Sequence, residues 1–243
     1  MNTFHISPLA GKPLIEYLCT KGYEPCFTQP ISATAEPISL HPDIIMCKLG
    51  VRDDSPVFHG DPSALGMTYP DDICFNACCT GRYFIHNLRY TSSKLLSFIY
   101  GSETLSQISH TGEYTCNAYC FDNNIETKLI PVNVTQGYAK CSIVVVDENS
   151  IITYDDGITK ACRMAGMDVL HVHAGNILLP GYSTGFIGGC SGRIGNEVVF
   201  NGDLSAHPDF HVIKNFIEGR GLNCTWFSGY PLTDIGSIIS EQR

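Results

Sequence analysis

Three residues have the side-chain chemistry of a covalent catalyst: Cys141, Cys190 and His207. A thiolate is a strong nucleophile, and a histidine can move protons near neutral pH. Cys141 follows Lys140, whose ammonium would lower the pKa of a nearby thiol. Cys190 lies in Gly188-Gly-Cys-Ser-Gly192, where exposed backbone N–H groups could hold an anion. Both cysteines also fit a structural role, Cys141 as a buried residue at a strand end and Cys190 in a glycine-rich turn.

The tripeptide His-Pro-Asp occurs twice, as His41-Pro-Asp43 and as His207-Pro-Asp209. A paired His and Asp can orient a general base or bind a metal. Asp209 also fits the first turn of a helix, where a carboxylate is favourable. That explanation fails for Asp43, because the sequence from Ile44 onward predicts a strand. Descent from one duplicated unit would also account for the repetition.

Three further acids, Asp155, Asp203 and Asp234, occur at predicted strand ends or turns. Together with His41, Asp43 and Asp209 they are candidates for binding a cationic substrate group such as a guanidinium or an amine. The alternative is that they cap helices and turns. His171 and His173 share one face of a predicted strand but have no third ligand nearby, so we predict no metal and no cofactor.

Internal repetition is the strongest indication of the fold, because two stretches have the same order of strand, strand, helix and strand. Between them Ile151-Ile152 corresponds to Val198-Val199, a shift of 47 residues. The first stretch has predicted strands at 142–147, 150–154 and 167–173 around a helix at 158–165. The second has strands at 185–188, 197–201 and 222–227, a turn at 192–196, and a helix with Val212, Ile213, Phe216 and Ile217 on one face. A looser copy has strands at 73–77, 82–86 and 104–108 and a helix at 92–100.

The chain ends complete the predicted architecture. A helix at 13–21 and a strand at 23–28 begin the sequence, and a lone strand at 236–239 ends it. Pairing of the last strand with the first unit would close the repeats into a ring, with strands at 44–48 and 56–59 filling the remaining place. We therefore predict one α/β domain over residues 1–243; the alternative is a doubly wound α/β sheet.

Several segments resemble an uncharacterised bacterial family of the pentein, or guanidine-modifying-enzyme, fold. They are Gln136-Gly-Tyr-Ala-Lys-Cys-Ser142, Ile151-Ile-Thr-Tyr-Asp155, Gly185-Phe-Ile-Gly-Gly189, Phe200-Asn-Gly-Asp203, His207-Pro-Asp209 and Leu232-Thr-Asp-Ile-Gly-Ser237. The resemblance implies an α/β propeller of pseudosymmetric ββαβ repeats with a central pocket for a guanidinium.

In the enzymes of that fold carboxylates bind the cation, a histidine of a His-x-Asp or His-x-Glu motif moves protons, and a cysteine attacks the guanidinium carbon. The resemblance thus implies a hydrolase or transferase acting on a guanidino or amidino small molecule. His207-Pro-Asp209 matches the histidine motif. The last cysteine, Cys224, lies in a predicted strand without the glycine-rich surroundings of the known nucleophile. The alternative is a non-catalytic member that binds a ligand or a protein.

The composition of the chain restricts its possible binding partners and its location in the cell. The net charge of −9 argues against nucleic acid and anionic membranes, which both require a positive surface. No membrane span, signal peptide or P-loop is recognisable, and the 12 cysteines are scattered through apolar runs. We predict a cytoplasmic protein with reduced cysteines and a small-molecule ligand, while its oligomeric state stays open.

Overall fold

The computed structural model describes residues 2–101 and 129–242, and its elements are described here within those ranges. Strands and helices alternate in a mixed α/β structure, and the described strands form five small sheets. The mixed α/β class predicted from the sequence is confirmed. The alternative of one doubly wound sheet is wrong, because no described sheet has more than three strands.

The two ends of the chain pair with each other. Strand β1 (Asn2–Ile6) is antiparallel to the last strand, β14 (Ile239–Gln242), and parallel to β2 (Tyr23–Phe27). Helix α1 (Lys12–Thr20) connects β1 with β2. The sequence predicted this helix, the strand after it and the pairing of the last strand with the first unit. It did not predict β1, and it placed the last strand at 236–239, starting three residues before β14.

Three further sheets repeat the same order, in which a first strand is antiparallel to a second and the second is parallel to a third. They consist of β5 (Cys78–Cys79), β6 (Tyr83–His86) and β7 (Ile130–Asn133); β8 (Val144–Val145), β9 (Ser150–Thr153) and β10 (Asp168–His171); and β11 (Ser191–Ile194), β12 (Glu197–Phe200) and β13 (Asn223–Thr225). Strands β3 (Met46–Lys48) and β4 (Val57–His59) form an antiparallel pair.

The helices of these three units begin and end where the local sequence requires. They are α2 (Ser93–Tyr100), α4 (Asp156–Met164) and α5 (Phe210–Glu218), whereas α3 (Ala139–Ser142) is a single turn before β8. The side chain of Asp155 accepts a hydrogen bond from the Ile158 N–H at 2.7 Å and so caps α4. Ile158 and Cys162, one turn apart, bury its inner face.

The structure corrects several predicted elements. Residues 185–188 and 73–77 form no strands, and residues 192–194, predicted as a turn, belong to β11. Residues 185–188 contain Gly185 and Gly188, which weaken strand formation and favour turns, whereas residues 192–194 form a strand despite Gly192. Val212 is exposed on α5 and does not join its buried face. The predicted strand at 104–108 lies outside the described residues.

First strands of different sheets lie next to one another. Strand β11 contacts both β8 and β14, and β3 contacts β5. Lys48 of β3 donates from Nζ to Ser240 Oγ of β14 at 2.6 Å. Thr80, directly after β5, donates from Oγ1 to the carbonyl oxygen of Glu148 at 2.8 Å. These contacts hold the first strands of different sheets side by side.

Within residues 2–101 and 129–242, no helix combines the length and the apolar character needed to cross a membrane. The ten cysteines of these ranges all have free thiols.

The pairing of the chain ends can be tested at Ile238, which packs in one apolar cluster with Phe4, Ile6 and Leu14 and is 2% exposed. We expect Ile238→Ala to lower the free energy of unfolding by about 2–4 kcal/mol, because it leaves a cavity between β1 and β14. The exposed Leu9→Ala is the control and should change it by less than about 0.5 kcal/mol. Equal effects in urea denaturation would contradict this packing.

Candidate active site

Four side chains and one carbonyl group meet at the point where the starts of the first strands converge. Asp43, Asn76, Cys141, Gly188 and Ser237 stand two or three residues before β3, β5, β8, β11 and β14. Each of the five sheets therefore contributes one residue to the same place. The side chains of Asp43, Asn76, Cys141 and Ser237 are buried.

The carboxylate of Asp43 is the hub of this cluster. Its Oδ2 accepts hydrogen bonds from the Cys141 thiol at 3.1 Å and from Ser237 Oγ at 2.6 Å. Ser237 Oγ lies 3.1 Å from the Gly188 carbonyl oxygen and in turn accepts from Lys140 Nζ at 2.9 Å. The second oxygen of Asp43, Oδ1, is buried without a hydrogen-bond partner in the protein.

Asn76 fixes the position of the thiol. Its Nδ2 lies 3.2 Å from Cys141 Sγ and donates to the Asp43 carbonyl oxygen at 3.1 Å. Its Oδ1 accepts from the backbone N–H groups of Lys140 and Cys141 at 2.9 and 3.2 Å. One amide side chain therefore joins the turn α3 to the segment that carries Asp43.

His41 and Asp234 complete the cluster. A nitrogen of His41, an oxygen of Asp43 and the sulfur of Cys141 all lie within 4.8 Å of one another. His41 Nδ1 is 3.8 Å from Asp234 Oδ1 and is also buried without a hydrogen-bond partner in the protein. Asp234 accepts from the backbone N–H groups of Phe186 at 2.9 Å and Gly236 at 3.0 Å. A cysteine, a histidine and two carboxylates therefore lie together.

The backbone around the cluster needs glycine. Gly236 has a φ of 72°, and a Cβ built on it would lie 2.2 Å from the Cβ of His41. A Cβ on Gly189 would lie 2.0 Å from Asp234 Oδ1. Ser237 itself has a φ of 71°, in the left-handed region that a serine rarely adopts. Such strain is typical of residues held in place for a function.

Burial is the main cause of the shifted pKa values of the titratable side chains in the cluster. It raises the pKa of Asp43 and raises that of Asp234 to about 6, although hydrogen bonds from the backbone N–H groups of Phe186 and Gly236 oppose the latter change. Burial and the two carboxylates raise the pKa of Cys141 well above that of an ordinary thiol. Burial lowers the pKa of His41. The cluster therefore favours a neutral thiol and a neutral imidazole.

An aromatic wall stands beside the cluster. The ring of Phe186 stacks on Tyr154, with centroids 6.0 Å apart, and it also contacts Tyr138. Tyr138 donates from its hydroxyl to Asp72 Oδ2 at 2.6 Å. The backbone N–H of Phe186 binds Asp234, so the wall and the acid are joined. Flat apolar faces next to carboxylates suit a planar cation.

The same residues offer metal ligands. One imidazole, one carboxylate and one thiol are a donor set that zinc accepts. The ammonium of Lys140 is nevertheless connected to Asp43 by two hydrogen bonds, through Ser237, and it would repel a metal cation.

Other predicted site residues lie elsewhere. The thiol of Cys190 donates to the Ile187 carbonyl oxygen at 3.0 Å within an apolar cluster. His207 accepts from the Asp209 N–H, and Asp209 pairs with His173 at 2.9 Å. Asp155 caps α4, and Asp203 accepts from Ser205 at a short helical turn. His41, Asp43, Cys141 and Asp234 are the predicted residues that come together.

Asn76 and Ser237 were missed by the sequence reasoning. The sequence predicts a strand at 73–77, which contains Asn76, and a last strand at 236–239, which contains Ser237. In the structure Asn76, Cys141 and Ser237 occupy equivalent places just before first strands, but the predicted strand bounds conceal this because they include Asn76 and Ser237. The assignment of Cys141 to a strand end is also corrected, because it belongs to the turn α3.

Comparison with known proteins gives a family and nothing on its chemistry. Residues 56–125 and 104–239 match a family of unknown function, DUF6873. The chain belongs to this family. All residues of the cluster except His41 and Asp43 lie within the matched ranges. No curated protein and no solved structure matches the chain.

The raised pKa of Asp234 predicts a pH dependence of stability. Between about pH 6 and pH 4 the native state binds a proton that the unfolded state does not, so acidification stabilises the fold by up to about 3 kcal/mol through this group. The lowered pKa of His41 acts in the opposite direction. We therefore expect Asp234→Asn, which has no carboxylate to protonate, to lack this gain on acidification.

Urea denaturation of both proteins at pH 4.5 and pH 7 measures the difference. When the pH is lowered from 7 to 4.5, the free energy of unfolding should rise more, or fall less, for the wild-type protein than for the variant. Parallel changes in the two proteins would mean that Asp234 is ionised in the native state at both pH values.

Proposed function

We propose that the five sheets are arranged as a closed, pentein-like propeller and that the cluster lies on its axis. Three observations support this. Four sheets share one strand order, first strands of different sheets are neighbours, and each sheet contributes one residue to the cluster. The last strand pairs with β1, as expected where the ends of the chain complete a ring.

We further propose that the protein is a thiol-dependent hydrolase or transferase acting on a guanidino or amidino small molecule. The observation that carries this proposal is the meeting of Cys141, His41, Asp43 and Asp234 in one buried cluster. An amidinium has a planar carbon and several N–H donors, which suits two carboxylates and the buried acceptor Asp43 Oδ1. The aromatic face of Phe186 gives the planar cation a surface on which to stack.

The charge of the substrate would also activate the nucleophile. In the free protein burial and the negative charges of Asp43 and Asp234 together disfavour a thiolate at Cys141. A bound amidinium cancels their negative charge, so the thiol loses its proton more easily when substrate is present. The nearby His41 is neutral and can accept that proton.

The reaction then proceeds in two balanced steps. The thiolate adds to the amidinium carbon, and the leaving amine departs with the proton that His41 accepted from the thiol. This leaves a covalent S-amidino adduct on Cys141. Water or a second amine attacks the adduct, His41 takes its proton, and the proton returns to the departing thiolate.

A non-catalytic binding protein is the second candidate. Its specific support is the strongly raised pKa of Cys141, because a thiol held neutral is a poor nucleophile. This function would use the same carboxylates and aromatic wall to hold a cation without forming a covalent bond.

Ligand binding can be measured by thermal denaturation with guanidino compounds, each compared with the ureido compound of equal shape and no charge. We expect guanidino ligands to stabilise the wild-type protein, by about 2.7 kcal/mol at 100 times the dissociation constant. Cys141→Ala should still bind, whereas Asp234→Asn should lose most of the stabilisation because one of the two anions is gone. Equal stabilisation by the uncharged compounds would contradict a cation site.

Turnover separates the two candidate functions. We expect the wild-type protein to release ammonia or an amine and to form a covalent adduct at Cys141 that mass spectrometry of the intact protein detects. Cys141→Ala should do neither. Cys190→Ala is the matched control, since it also removes a buried thiol but lies outside the cluster, and it should keep its activity. Binding without turnover or adduct would leave the binding protein as the function.

A further inference from the structure

Two histidines and a glutamate meet at the junction of two sheets, away from Cys141. His5 lies on β1, Glu241 on β14 and His59 on β4. The first two strands are the paired ends of the chain, and β4 belongs to the two-stranded sheet. None of these residues takes part in the proposed reaction.

The strand register brings two of them together. Thr3 pairs with Glu241 in the antiparallel ladder of β1 and β14. His5 is two residues further along β1 and therefore projects from the same face as Glu241. His59 reaches this face from the neighbouring sheet, and its ring packs edge-on against His5 with centroids 5.4 Å apart.

The three side chains already point toward one another. Nε2 of His5 lies 2.9 Å from Oε2 of Glu241, and Nε2 of His59 lies 3.0 Å from Oε1 of the same carboxylate. One ligand atom from each residue lies within 4.8 Å of the other two. A cation placed between them could take both imidazole nitrogens and a carboxylate oxygen after small side-chain movements.

We propose that His5, His59 and Glu241 form a zinc-binding site. Two imidazoles and one carboxylate are a donor set that zinc commonly takes in proteins, with water as the fourth ligand. His5 is buried, Glu241 is mostly buried and His59 is exposed, so the site is rigid on one side and open to solvent on the other. The ion would join both ends of the chain to β4, and so stabilise the junction at which the sheets close.

Zinc binds imidazole nitrogens that carry no proton, so protons compete with the ion and zinc affinity should fall on acidification.

The test uses the full chain, freed of metal with a chelator and titrated with Zn²⁺ by calorimetry at pH 7.5. We expect one ion per chain and a rise in the melting temperature. His59→Gln and Glu241→Gln should lose both. His173→Ala is the matched control, because His173 also pairs with a carboxylate, that of Asp209, but belongs to no group of three metal donors within the described residues. This variant should bind zinc as the wild-type protein does.

Two further measurements separate this site from the cluster around Cys141. Cys141→Ser should keep full zinc binding, and Co²⁺ bound to the wild-type protein should lack a thiolate-to-cobalt absorption band. The proposal is overturned if the wild-type protein binds no zinc, if His59→Gln and Glu241→Gln still bind it, or if Cys141→Ser abolishes it. None of these measurements depends on turnover, so the proposed enzyme function can fail without affecting this result.

Discussion

The carboxylate of Asp43 has no exposed surface, and the neighbouring polar groups are arranged around it. Burying a charged carboxylate is costly unless other groups compensate for it. Ser237 and Cys141 donate to one of its oxygens, and Lys140 supplies a positive charge through Ser237. Each compensating residue lies near the start of the first strand of a sheet. The hydrogen bonds and the positive charge that stabilise the buried Asp43 carboxylate therefore depend on the placement of the sheets.

This arrangement gives the cluster an excess of negative potential. Asp43 and Asp234 are both buried beside Cys141, whereas Lys140 is the cation that acts on both carboxyl groups. The second oxygen of Asp43 has no hydrogen-bond partner in the protein, and neither has Nδ1 of His41. A planar cation would satisfy that acceptor and lower the electrostatic cost of forming a thiolate. Binding and activation would then have the same physical origin.

Much of the fold was accessible from the sequence, because it follows from local patterns. The Asp155 cap, the buried pair on α4 and the apolar runs of β9 and β12 predicted two units in the right order. Strand β1 and the turn α3 were missed, since tertiary contacts decide them. Asn76 holds α3 through the backbone N–H groups of Lys140 and Cys141, and no pattern within residues 136–142 contains that information.

The candidate site was predictable in part for the same reason. His41, Asp43, Cys141 and Asp234 were chosen by residue type, but the sequence could not separate them from Cys190, His207, Asp155 and Asp203. Glycine-rich turns and helix caps use the same residue types as catalytic sites. The residues of the cluster are distinguished from the others only by the tertiary structure, which brings the starts of five strands, far apart in the sequence, to one place.

The most direct measurement compares the rates at which Cys141 is alkylated by chloroacetamidine and by chloroacetamide, two reagents of similar shape that differ in charge. If buried carboxylates control the thiol, the cationic reagent should modify Cys141 much faster, and Asp234→Asn should reduce that preference. Mass spectrometry of the digested protein locates the label. Equal rates for the two reagents, or labelling confined to the exposed Cys19 and Cys26, would contradict the account.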